Sequence, residues 1–116
     1  MARRMTRASA LLALLVAGTP VLAQDARAPI EERVALDNDT VWVALLTFPP
    51  GAASGEHAGL DPELGIVVEG ELTLITPSGH EVLGPGAVRW LPALTTHDAH
   101  NEGARPLKLW VILFKR

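Results

Sequence analysis

Cysteine is absent from the 116 residues. That excludes disulfide staples, thiolate metal sites, iron–sulfur clusters, a cysteine nucleophile and an acylated lipoprotein anchor. Basic residues are outnumbered: 10 Lys and Arg against 13 Asp and Glu leave a net charge of −3. With no basic excess to neutralise phosphates, a nucleic acid is not an expected partner. After position 24 no helical i, i+3, i+4 stripe is sustained over a dozen residues, and there is no internal repeat or low-complexity tract. The 116 residues as a whole are 48% apolar and 20% charged, the balance of a chain that folds around one core.

The first residues read as a targeting segment. Arg3, Arg4 and Arg7 precede an apolar run of 11 residues, Ala8 to Gly18, and Pro20 then breaks any helix. The run is short of the about 20 residues needed to cross a bilayer. Val21 and Ala23 supply small residues at the −3 and −1 positions of a signal-peptidase site. The reading is a signal peptide over residues 1–23, cleaved after Ala23, with an uncleaved membrane anchor as the alternative. Arg3-Arg4 lacks the residues that follow the pair in twin-arginine signals. Export places the product in the periplasm or outside the cell, with no membrane association after cleavage. Loss of the three arginines takes the net charge from −3 to −6. A domain of this size buries only about 60–65% of its unfolded surface, so a second subunit or a metal would add needed stability.

Residues 24–39 are polar and read as an arm leading to a turn at Asp37-Asn38-Asp39. From 40 to 116, short apolar segments alternate with glycine and proline. Strands are expected over 40–48, 63–69, 71–76, 80–83, 87–91, 97–101 and 107–114. This is the pattern of a small all-β barrel or sandwich. Two segments depart from apolar-polar alternation. Val41, Val43 and Leu45 oppose Trp42, Ala44, Leu46 and Phe48 across the first strand. In the last, Leu107, Leu109, Val111 and Leu113 oppose Trp110, Ile112 and Phe114. A strand with one wet face should alternate, so something must cover the outer face. A homodimer through these strands is the expectation, and a cover formed by the arm is the alternative. Trp90 and Trp110 are expected in the core, with a role lining a pocket as the alternative.

Four histidines, His57, His80, His97 and His100, carry the candidate chemistry. Imidazole is a common ligand of divalent transition metals. Two histidines and one carboxylate from neighbouring strands can occupy three positions of a coordination sphere and leave others open. Strand parity puts His97, Ala99 and Asn101 on one face and Asp98 and His100 on the other. His80, after Ser78-Gly79, reads as exposed at a hairpin. Hydrogen-bonded histidines with no metal are the plain alternative.

The spacing resembles that of the cupin superfamily. Its first motif is a glycine, five residues, His-x-His, three or four residues, a glutamate, six residues and a glycine; here Gly51, His57-Ala58-Gly59, Glu63 and Gly70 stand at those places. Its second is a glycine, five residues, Pro-x-Gly, two residues, a histidine, three residues and an asparagine; here Gly86, Pro92-Ala93-Leu94, His97 and Asn101 match. The resemblance covers about residues 40 to 114. It implies a single-domain jelly-roll β-barrel, often dimeric, with a small-molecule ligand. It implies His57, Glu63 and His97 as ligands of one divalent transition metal (Fe, Mn, Ni or Zn), Asn101 as a structural residue, and Gly51, Gly70 and Gly86 in turns. Two positions depart from the pattern: Gly59 replaces the second histidine, and Leu94 replaces the glycine before the last. Asp61, or less readily Glu56, could stand in for the missing ligand. His100 or Glu56 could serve as a base only if the loops bend inward. The reaction is left open among oxygenase, isomerase, lyase and none, and a metal-free binding module is the alternative.

Overall fold

The computed structural model describes residues 28–116. The signal peptide read over residues 1–23 lies outside the described residues. Nine strands follow one another: β1 Glu31–Asp37, β2 Val41–Phe48, β3 His57–Ala58, β4 Glu63–Glu69, β5 Leu72–Thr76, β6 Gly79–Leu83, β7 Val88–Leu91, β8 Thr96–His100 and β9 Leu107–Phe114. They form a five-stranded sheet, β1-β2-β9-β4-β7, and a four-stranded sheet, β3-β8-β5-β6. All the sheet pairings are antiparallel. Among the described residues there is no helix, and the all-β expectation stands.

The inner faces of the two sheets make the core. β2 contributes Trp42, Ala44 and Phe48, and β9 contributes Leu107, Leu109, Val111 and Leu113; all seven are buried. Their alternation along each strand is the period of two that one buried face demands. From the other sheet come Leu72, Leu74 and Ala99.

Two elements depart from the expected pattern. The arm contains β1, which pairs edge-on with β2 from Glu31↔Thr47 to Asp37↔Trp42. The turn that joins them is held by Asn38, whose Oδ1 accepts hydrogen bonds from the Thr40 and Val41 amides, 2.8 Å each. The described part of the arm therefore widens the sheet and does not lie across its outer face. The second departure concerns Trp90 and Trp110. Trp110 stands opposite Leu45 of β2 and Ile66 of β4, on the side away from the core, and Trp90 stands opposite Leu64. Trp90 is 47% exposed, and its ring meets that of Phe114 at 5.7 Å. Neither tryptophan is in the core. Trp42, 3% exposed, takes that place.

The outer face of the five-stranded sheet is apolar across its width. One cross-strand row runs Leu36, Val43, Ile112, Leu64, Trp90. A register shift in β1 between Val34 and Leu36 turns Leu36 onto this face. A bulge does this because one added residue inverts the parity of all that follow.

Candidate functional site

β3 is two residues long and pairs with β8 at one end of the four-stranded sheet, His57 directly opposite His97. Residues directly opposite in an antiparallel pair project to the same face. The two imidazole rings accordingly meet, centroids 4.3 Å apart and planes tilted by 57°. His97 is 4% exposed, while His57 stands at the exposed rim.

Each imidazole is oriented from behind by the backbone just before its own strand. The Nδ1 of His57 lies 2.7 Å from the Gly55 carbonyl, and that of His97 lies 2.8 Å from the Thr95 carbonyl. A carbonyl oxygen only accepts, so each Nδ1 carries the proton and each Nε2 keeps its lone pair when the ring is neutral. Histidine ligands of metals are commonly held this way.

Glu63 arrives from the opposite sheet. It opens β4, with Leu91 of β7 on one side and Leu113 of β9 on the other, both buried. Its side chain shares their inward face and is 20% exposed. Its Oε1 lies 3.9 Å from His97 Nε2. The structure thus brings His57, His97 and Glu63 to one end of the interior, from three strands and both sheets. Donors on one ion, each about 2.1 Å from it, stand roughly 3 to 3.5 Å apart at octahedral or tetrahedral angles. The Glu63–His97 separation is slightly wider. Among the described residues no three His, Asp or Glu side chains close tightly enough to enclose an ion, so neither Asp61 nor Glu56 completes the set.

Asn101 is 1% exposed. Its Nδ2 donates to the carbonyls of Phe48 and Arg105, 2.8 Å each, and its Oδ1 accepts from the Gly103 amide at 3.0 Å. The side chain ties the end of β2 to the β8–β9 turn, a structural role. His100 projects outward, as parity requires. Its Nε2 lies 3.0 Å from Asp98 Oδ2 and its Nδ1 3.4 Å from Glu102 Oε2. It does not turn into the barrel, so it is no base for the interior. Asp98 in turn accepts from the Gly55 amide at 3.0 Å. It thereby anchors the loop that presents His57, a contact not anticipated from the sequence. His80 is exposed at the start of β6.

The two departures from the cupin pattern touch each other. The Leu94 amide donates to the Gly59 carbonyl at 2.7 Å, and Leu94 holds a φ of 65°. Two surface depressions lie elsewhere, one bordered by Gly70, Glu71, Pro85 and Arg105, the other by Glu31, Arg33, Leu45 and Thr47. Neither borders the paired histidines.

The cupin-domain family profile matches residues 44–113, well over half of the chain. The chain is a cupin. Solved structures of similar shape agree. A cupin domain from Bordetella pertussis Tohama I is 26% identical, covering 78% of this chain and 98% of its own, with a TM-score of 0.68. A cupin superfamily protein from Desulfitobacterium hafniense DCB-2 is 20% identical over 78% of this chain and 82% of its own, with a TM-score of 0.72. TT1209 from Thermus thermophilus is 24% identical over 82% and 94%, with a TM-score of 0.71. No protein of curated function matches this cupin.

Proposed function

We propose that this cupin binds one divalent transition metal, Fe, Mn, Ni or Zn, through His57, His97 and Glu63, and takes a small molecule at the remaining positions. The observation that carries the reading is the paired histidines, each with Nδ1 engaged by a backbone carbonyl and Nε2 left as a donor, beside a carboxylate on the facing sheet. The donor set fits the group: two neutral imidazoles and one carboxylate are the ligands of a three-point site with open positions. When bound, such an ion supplies a Lewis acid. His97 would contribute the buried ligand, His57 the ligand at the rim, and Glu63 the charge that offsets part of the cation's. The leader pattern supports action outside the cytoplasm.

A second reading, a metal-free binding module, is favoured by one observation. The Glu63–His97 gap of 3.9 Å is wider than adjacent ligands of one ion would leave, and no fourth ligand closes it among the described residues.

Elemental analysis of untagged protein separates the two. The expected result is about one transition metal per chain, lost in His57→Ala. Metal-free protein whose thermal midpoint ignores added Mn, Fe, Ni and Zn overturns the metal site, because a ligand of the folded state must raise stability.

A further inference from the structure

The loop that carries His57 runs beside β8 with one residue too many. Ala53 bridges to His100, and His57 pairs with His97. Between these two pairs the loop advances four residues while β8 advances three. Residues directly opposite share a face. His100 projects outward, so Ala53 does too, and Ala52 before it is buried. Four steps along an even strand would return His57 to that outer face. The extra residue inverts the parity and turns His57 inward beside His97. Gly55 takes the left-handed backbone that suits such a bulge, φ 87°.

A bulge leaves backbone groups without a ladder partner. Up to Ser54 the loop is laced to β8 by its backbone: the Asn101 amide donates to the Ala52 carbonyl at 2.9 Å, and the Ser54 amide to the Ala99 carbonyl at 2.8 Å. There side chains take over. The Ala99 amide donates to Ser54 Oγ at 3.0 Å, and the Gly55 amide donates to Asp98 Oδ1 at 3.0 Å. Ser54 Oγ also lies 3.5 Å from that oxygen and donates to the Gly55 carbonyl at 3.2 Å. The other oxygen of Asp98 lies 3.0 Å from His100 Nε2. The Gly55 carbonyl in turn accepts the Nδ1 proton of His57. A carboxylate outside the barrel thus reaches a ring inside it through a single residue. His97 does not depend on it. That ring belongs to the five-residue β8 and is held from Thr95.

We propose that Asp98 is a positioning residue for the candidate metal site: it holds the bulge at Gly55, and the bulge keeps His57 turned inward with its proton on Nδ1. The effect on metal affinity rests on the metal reading above; the effect on the ring needs no ion. Groups that fix the far nitrogen of a ligand histidine are worth about 10–100-fold in metal affinity.

Zinc titration of the metal-free, untagged chain by calorimetry, with nitrogen NMR of its imidazoles, tests this at a pH of about 8, where free imidazole is neutral. Asp98→Ala should weaken zinc binding about 10–100-fold. Asp98→Asn, whose amide oxygen can still accept from Gly55, should stay within about threefold of the wild type. Without zinc, Asp98→Ala should release His57 from its single tautomer while His97 keeps its own, a split that a general loosening of the fold would not produce. If Asp98→Ala fails to fold by far-UV circular dichroism, hydrogen exchange of the Gly55 amide in the wild type decides: exchange slowed at least 10-fold is expected, and free exchange overturns the proposal. Equal, measurable zinc affinity in the wild type and Asp98→Ala also overturns it, as does a His57 tautomer that this change leaves alone. A wild type that binds no zinc, with the His57 tautomer still released by Asp98→Ala, overturns the metal reading and upholds the positioning.

Discussion

Leu94 has a left-handed backbone, φ 65°, and a side chain 67% exposed. A non-glycine residue there costs about 1–2 kcal/mol. Little burial offsets it, and the amide bond to Gly59 is one that glycine would make equally well. Leu94→Gly should therefore stabilise the protein. The strain relieved exceeds the added freedom of an unfolded glycine, about 0.5–1 kcal/mol, leaving a net gain of about 0.5–1 kcal/mol. A urea midpoint that rises at constant slope is the expected observation; a fall would mean that the side chain holds contacts of its own. Asn101 is the opposite case. Asn101→Ala removes three hydrogen bonds from a fully buried group and strands the Phe48 carbonyl, so about 2–4 kcal/mol should be lost in the same assay. The inward set His97, Ala99 and Asn101 was legible from parity alone, since a period of two needs no tertiary information. Which way Trp90 and Trp110 faced was not. Trp110 lies in a strand apolar on both faces over most of its length, and such a strand does not say which side meets the core; Trp90 lies in a strand of four residues, Val88–Leu91, too short for its alternation to decide.

Among the elements, β2 and β4 to β9 match the expected segments within a residue, because proline, glycine and short polar turns punctuate them. β1 was hidden by its composition. EERVALD is an edge strand of which all residues but Glu32 are exposed, and charge on an edge also discourages unwanted pairing. β3 has two residues, too few for any periodicity, and only its pairing with β8 defines it. The motif glycines serve as turns of unequal importance. Gly70 lies at φ 80°, and a Cβ there would fall 2.3 Å from the Pro106 carbonyl oxygen and 2.9 Å from the Leu107 Cα. Both are backbone atoms that cannot swing aside. Gly86, at φ 89°, has nothing within 4 Å of the same position. Gly86→Ala should cost only the conformational term, about 1–2 kcal/mol. Gly70→Ala adds the clash and should cost about 3–5 kcal/mol or prevent folding. Urea unfolding of the two variants side by side tests the contrast, and equal losses would refute it.

At the scale of the whole molecule, the candidate ligands join what the chain keeps apart. His57 and His97 belong to the four-stranded sheet, Glu63 to the five-stranded sheet, and the core between them holds by packing without a disulfide. The spacing of two motifs nominates His57, Glu63 and His97 as candidate ligands, but the distance between the sheets at Glu63 is a property of the closed barrel and is written in no local segment. An ion held by all three would clamp the open end of the sandwich. A ligand at 100 times its dissociation constant adds about 2.7 kcal/mol. In a domain of this size each kcal/mol moves the midpoint by about 4–8 °C. Stripping the protein with a chelator should therefore lower its thermal midpoint by about 10–20 °C, and restoring the metal should return it. Glu63→Gln should bring the untreated protein most of the way to the stripped value and make it nearly insensitive to chelator. Wild-type protein that melts at one temperature with and without chelator would show that the two sheets need no such clamp, and that the histidine pair is held by its carbonyl bonds alone.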